Sequence, residues 1–486
     1  MRKSVIHLSL VVLLVTLAGC STIVTSEKQK RPMMTQFVSG RPQAALLEAQ
    51  KKLGSTAGKG DEIVWLLECG SLQFFLGDYV AALASFRRCE ELIEEYDERA
   101  LISLQDTGNE ALVVISNDNA LPYRGWCRDR VAIGIYKSLA YLGVGNEGAF
   151  RAQVKRMRGE HQKIIEDYQK FFDAEQKRLE EAKQQNQEAA KKAYSQEFLN
   201  DPRNADFAKS MQETEAVAHR GYGNFLNPAS LFLSALSLLR DGEWDSARIE
   251  FERLYKAMPA NTTVQQYYVT ALQKSNRKVP PELANVQPFD FPLEHNCVYV
   301  LFAHDLSVSF EQRAIYFPLM FAWPVCIFHP AMMPSLTVQG GGRTCTAAPL
   351  ADMDGILAQE FARRMPARLT RTLVSALIKE AGYIATMAAM DRSMNNSSSQ
   401  AFVKLGTAIA WKSYQAMFNT ADTRGWFLLP KEIRLAQLPM PKDRQLLLQW
   451  GQTSQPLLLP EKCGSAVVYV NALTPNNVQC QVFGLR

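Results

Sequence analysis

The stretch KVPPELANVQPFDFP, residues 278–292, carries four prolines and separates two halves of the chain that obey different hydrophobic periods. Proline lacks a backbone N–H and pushes the residue before it out of helical geometry, so Pro280 and Pro281 end any helix that reaches them. Upstream, apolar residues recur at three- and four-residue steps; downstream they come in short runs rich in β-branched and aromatic residues. The expected fold is α+β: a helical region over residues 45–275, then a mixed α+β region over residues 282–486. A chain of 486 residues that is 47% apolar has material for such cores, in two or three domains.

Within the helical region, DEIVWLLECGSLQFFLGDYVAALASFRRCEEL reads as two amphipathic helices joined at Gly77-Asp78, where glycine supplies the left-handed turn that ends a helix. PASLFLSALSLLRDGEWDSARIEFERLYKAMP repeats the arrangement. Ala235 stands for Gly70, Gly242 for Gly77, Trp244 for Tyr79, Ala247 for Ala82 and Phe251 for Phe86, and Pro259 closes the unit. RVAIGIYKSLAYLGVGNEGAF is a degenerate third hairpin. These pairs resemble tetratricopeptide hairpins, and their recurrence at one internal spacing strengthens the likeness. Between them Val154, Met157, His161, Ile164, Tyr168 and Phe171 form one apolar stripe, the mark of a long helix lying on the hairpins.

In tetratricopeptide proteins the first helix of each pair lines a concave peptide groove. The resemblance places Leu67, Ser71, Phe74, Phe232, Leu236 and Leu239 there as partner-binding residues. Most are apolar, and an open groove would expose a large hydrophobic patch. Cover by the long helix or by the C-terminal region is therefore expected, with a partner as the other candidate.

Downstream, CVYVLFAHDLSVSF, AIYFPLMFAWPVCIF, WFLLPKEIRLAQL, QLLLQW and SAVVYVNAL read as strands, interrupted by helices at 355–390 and 401–420 around the polar loop SMNNSSS. The first helix is expected to break at Pro366, since proline suits a first turn better than a helix interior. QGGGRTCTA reads as a flexible loop; it lacks the lysine of a phosphate loop. No GxSxG, HExxH or calcium-loop pattern occurs. A turn over Thr474–Asn477 leaves Cys463 beyond the chain end, so Cys463 and Cys480 do not pair across that hairpin.

The chain begins MRKSVIHLSLVVLLVTLAGCST, in which Arg2 and Lys3 precede an apolar run, Val5 to Leu17, too short to span a bilayer comfortably. Leu17-Ala18-Gly19-Cys20 resembles the lipobox of bacterial lipoproteins. That resemblance implies a signal peptide over residues 1–19, cleavage before Cys20, and acylation of both its sulfur and its new amino terminus. Several chains give stable anchoring, because each buried methylene contributes about 0.8 kcal/mol and one chain is marginal. Ser21 and Thr22, in place of an aspartate, imply the outer membrane by the same analogy. Residues 20–44 lack periodicity, contain Pro32 and Pro42, and read as a tether. No cofactor beyond the covalent lipid is expected.

The net charge is +5, and cleavage of the signal removes two of the positive charges. That balance is too even to imply nucleic acid as a partner. Besides Cys20 there are eight cysteines, which an oxidising compartment allows to pair. His295, Cys297, His304, Cys326, His329 and Cys345 form the best candidate cluster for metal or covalent chemistry. Only Cys326 and His329 stand at ligand-like spacing with no second close pair, so no metal site is expected. Arg363, Arg364, Arg368, Arg371 and Lys379 read as a solvated basic face, and Asp422 with Arg424 as an ion pair holding Trp426.

Four stretches, LPYRGWCRDRVAIGIYKSLAYLGVG, GYGNFLNPASLFLSAL, VYVLFAHDLSVSFEQRAIYFPL and ADTRGWFLLPKEI, resemble a family of bacterial tetratricopeptide-containing outer-membrane lipoproteins of unassigned function. Asp422, Arg424, Trp426, Leu429 and Pro430 carry the most specific part of that likeness. Where the family has an acidic residue and a glycine, this chain has Ala303 and His304. The resemblance implies an envelope address and a neighbourhood of lipoproteins that support peptidoglycan synthases. The expected function is a noncatalytic, lipid-anchored scaffold at the periplasmic face of the outer membrane, its repeats binding another envelope protein. The alternative is a cell-envelope hydrolase using Cys297 or Cys326 with His304 or His329. The sequence names no small-molecule ligand.

Overall fold

Helices fill the N-terminal half and sheets the C-terminal half of the computed structural model, which describes residues 25–105, 122–185, 195–317, 319–393 and 421–485. Cys20, the loop SMNNSSS and the helix expected at 401–420 lie outside the described residues. The chain runs through α1 (Ser26–Val38), α2 (Pro42–Thr56), α3 (Glu62–Phe75), α4 (Tyr79–Gln105), α5 (Cys127–Gly143) and α6 (Glu147–Gln185). It continues with α7 (Ala205–Ala218), α8 (Pro228–Arg240), α9 (Trp244–Ala257) and α10 (Thr262–Lys274).

The α3/α4 and α8/α9 pairs turn at Gly77 (φ +83°) and Gly242 (φ +74°), left-handed positions that glycine occupies without steric cost. Gly70 allows the first pair to close: a Cβ there would lie 2.6 Å from the Phe86 ring. Phe251 and Ala235 are likewise buried in the second pair.

The strands form a mixed five-stranded sheet in the order β11-β10-β1-β7-β6, where β1 is Cys297–Leu306, β6 Ala348–Asp352, β7 Pro430–Pro439, β10 Ser465–Thr474 and β11 Asn477–Leu485. A hairpin of β2 (Ser309–Phe317) and β3 (Leu319–Ile327) stands apart. A four-stranded sheet orders β5 (Arg343–Thr346), β4 (Leu336–Gly340), β8 (Gln445–Trp450) and β9 (Thr453–Leu458). The parallel pair β1 and β10 is buried on both faces, which is why these strands read as unbroken apolar runs. Their alternate side chains divide two cores. Tyr299, Leu301, Val467 and Tyr469 pack with the helices, whereas Val298, Val300, Ala466 and Val468 pack with Leu336, Val338, Leu446 and Leu448 of the second sheet. The result is three layers: helices, sheet, sheet.

Three expectations are corrected. The tether reading fails from Ser26 onward: α1 and α2 are helices, and Met33 and Phe37 are buried against Trp65 and Phe75 of α3. The apolar spacing of Met33 and Phe37 was masked by charged neighbours and by Pro32, which sits inside α1. A single helix, α11 (Met353–Ser393), runs through Pro366 without a break. QGGGRTCTA is an ordered hairpin, with Gly341 and Gly342 supplying positive φ between β4 and β5. The Thr474–Asn477 turn is as expected, and Cys480 lies opposite Val470.

The two halves share one core. Ala421 to Pro430 threads between them: Trp426 donates to Ser71 Oγ at 2.7 Å, its carbonyl accepts from Arg128 at 3.2 Å, and Glu68 accepts from the N–H groups of Phe427 (2.8 Å) and Leu428 (3.1 Å). Asp422 and Arg424 form the expected ion pair at 2.8 Å, joined by Asp61 at 3.1 Å.

On α6, His161 is buried, its Nε2 has no partner, and burial together with Arg253 pushes its pKa down to about 4. The folded chain therefore holds a neutral imidazole where the unfolded chain, with an ordinary value near 6.5, binds a proton. Stability is expected to be retained above pH 6.5 and to fall as pH drops toward 4, by about 2 kcal/mol at pH 4.5 from this group. Urea unfolding at pH 7 and 4.5 checks this: the acid loss should shrink by that amount in His161→Gln.

Candidate functional site

All six residues expected in a partner groove are core. Leu67, Phe74, Phe232, Leu236 and Leu239 are at most 1% exposed, and Ser71 is 4% exposed. The C-terminal half meets this face: Phe74 packs edge-on against Tyr469 of β10 at 5.5 Å, Phe232 against Tyr299 of β1 at 5.9 Å, and Ser71 accepts from Trp426. The open apolar groove is thus corrected; the C-terminal half fills it.

The cysteine and histidine cluster is also dispersed into structural roles. Burial pushes the Cys297 thiol up to about 12 and the Cys326 thiol higher still, so neither forms a thiolate near neutral pH. His304 Nδ1 lies 2.9 Å from Asp305 and Nε2 3.4 Å from Glu432. Burial opposes its charge, but those two carboxylates outweigh burial and raise its pKa, which favours the form that cannot act as a base. His329 Nε2 contacts Ser309 Oγ at 3.0 Å. The eight described cysteines are free, and Cys69, Cys89 and Cys127 are buried in helices as compact apolar residues. Among the described residues no group of three or more His, Cys, Asp or Glu is placed to hold a metal, and no helix is long and apolar enough to cross a membrane.

Among the described residues, two clefts lie elsewhere, along α6. One cleft, of about 360 Å³, is walled by Glu90, Glu91, Glu94 and Asp97 of α4, Arg130 and Lys137 of α5, and Arg156, Glu160, Lys163 and Asp167 of α6. The facing helices carry opposite charges there: Lys137 reaches Glu90 at 2.5 Å, and Arg130 grips Asp97 with two bonds of 2.6 and 2.9 Å. Burial raises the Glu90 pKa against the pull of Lys137.

Arg130, Ile164 and Asp167 also line a second cleft of about 100 Å³, formed where the start of α5, α6, α11 and the segment at Asp422 meet. Its wall is aromatic. Trp126 stacks on Phe310 at 5.2 Å, and Arg364 lies 5.1 Å over Trp126 and 5.7 Å over Tyr168. Glu360, fully buried, accepts from the Cys127 N–H at 2.8 Å and pairs with Arg364 at 2.9 Å. It thereby caps the first turn of α5 with a carboxylate. Arg364 and Arg368, expected on a solvated face, line this cleft; Arg363 is exposed, and the side chains of Arg371 and Lys379 lie outside those described.

Comparison with protein-family models, curated proteins and solved structures returns no match.

Proposed function

We propose that this chain is a lipid-anchored adaptor of a bacterial cell envelope, held through Cys20 at the periplasmic face of the outer membrane and binding another envelope protein across its helical half. The lipobox-like start supports the address. The matched turns at Gly77 and Gly242 and the close Gly70–Phe86 approach support a tetratricopeptide-like reading of the hairpins. The observation that carries the function is the larger cleft, whose α4 wall is mainly acidic and whose α6 wall carries both signs, Arg156 and Lys163 beside Glu160 and Asp167. Such a surface suits a polar, charged peptide segment, recognised by complementary charge rather than by apolar burial.

The test is chemical crosslinking in native membranes followed by capture of the full chain, with Glu91→Lys combined with Glu94→Lys. Both residues are exposed, so the double variant keeps the wild-type unfolding midpoint. The expected result is one envelope protein recovered with wild type, reduced about ten-fold or more by the charge reversal and weakened by Cys20→Ala. Equal recovery with the reversed cleft would place the contact elsewhere. No recovery above background from wild type would sink the adaptor reading.

A further inference from the structure

We propose that the smaller cleft is a binding site for a phosphate group, with the Tyr168 hydroxyl and the guanidinium groups of Arg124, Arg364 and Arg368 as its donors. Tyr168 is 7% exposed, lines the cleft, and its hydroxyl has no hydrogen-bond partner. A buried hydroxyl left without a partner costs about 1–3 kcal/mol, so native chains rarely keep one. This one borders a space of about 100 Å³, several times what a single water needs.

What surrounds the hydroxyl identifies the missing acceptor as an anion. Arg364 lies over the Trp126 and Tyr168 rings and is tied to Glu360, so its fork is ordered before a ligand arrives. Arg124 and Arg368 line the same space. Burial pushes the Arg124 guanidinium down to about 10 against the pull of Asp97, and Arg130, Arg364 and Arg368 push it the same way as burial. Asp167, Glu360 and Asp422 line the same space, so five arginines face three carboxylates there and an excess of positive charge remains. A water would satisfy Tyr168 alone, whereas an anion also balances that excess.

Phosphate fits the donors better than a carboxylate does. A carboxylate is planar and is served by one guanidinium fork. Here the donors come from the loop before α5, from α6, and from two positions one turn apart on α11. That convergence suits a tetrahedral group with several anionic oxygens. The inference stands apart from the adaptor reading, because purified protein alone tests it.

The experiment is isothermal titration of the full chain with inorganic phosphate at constant ionic strength, with chloride as the control anion, on wild type, Tyr168→Phe and Arg368→Gln. Saturable binding is expected, weakened about ten-fold or more in both variants. Tyr168→Phe should keep or raise the wild-type unfolding midpoint, since its hydroxyl bonds nothing in the protein; a merely structural tyrosine would lower the midpoint and leave phosphate affinity unchanged. Cosedimentation with phosphatidic acid vesicles, against phosphatidylcholine vesicles, separates the sources: binding that free phosphate displaces points to a lipid phosphate, and titration without vesicle binding points to a soluble one. No preference for phosphate over chloride, or unchanged affinity in Tyr168→Phe, would overturn the proposal.

Discussion

Replacing Glu68 by alanine is expected to cost about 3–5 kcal/mol of unfolding free energy, the cost of stranding a buried charge. Glu68 and Lys30 are both 0% exposed and 2.5 Å apart. The carboxylate also accepts from the Phe427 and Leu428 N–H groups, so its loss leaves one ammonium and two backbone donors short of an acceptor. Lys30 keeps the Gly425 carbonyl and a place 4.2 Å over the Phe427 ring, which do not replace a counter-charge. Lys30→Met should cost less: burial already lowers the lysine pKa, the substitution removes an expensive charge, and Glu68 retains its two N–H donors. Urea unfolding of the two single variants measures the asymmetry. Equal losses would contradict the asymmetry, and a Glu68→Ala variant within about 0.5 kcal/mol of wild type would mean that this pair does not hold α1 to the body.

This pair also shows why the N-terminal helices were illegible in the sequence. A lysine followed by arginine and proline reads as solvent-exposed linker, and the carboxylate that neutralises Lys30 lies 38 residues away on another helix. Local periodicity carries no information about such a partner. The hairpins were legible for the opposite reason, because Gly77, Gly242 and the apolar spacing around them act within one turn of the chain. The central strands were legible because burial on both faces requires near-continuous apolar residues.

The sites divide along the same line. A groove was expected from apolar residues on first helices, but apolarity cannot distinguish a face that meets a partner from one that meets the chain's own sheet. Phe74 and Phe232 meet the sheet. The arginine cleft left only fragments in the sequence: Tyr168 reads as part of a core stripe, and Arg364 as part of a basic face. Trp126, Tyr168 and Arg364 come from three separate elements, and only the fold brings them together. Asp422, Arg424 and Trp426 were the exception. Their pairing is local, and the segment that holds them is the seam between helices and sheet.

The claim that most shapes the functional reading is that the inner face of the helices is core rather than a partner groove. Phe74 tests it most directly. Its ring meets Tyr136 at 5.1 Å, Tyr79 at 5.5 Å and Tyr469 of β10 at 5.5 Å, and its carbonyl accepts from Gln481 of β11 at 2.6 Å. Removing the ring leaves a cavity that the sheet above it closes only in part, a loss of about 3–5 kcal/mol. Placing charges at Phe74 and Leu239 together should prevent folding altogether. The measurement is the urea unfolding of Phe74→Ala in the full chain. An unfolding free energy lowered by that amount, in one transition, is the predicted result. Wild-type stability combined with loss of partner capture would contradict it, and would return the binding surface to the inner face of the helices.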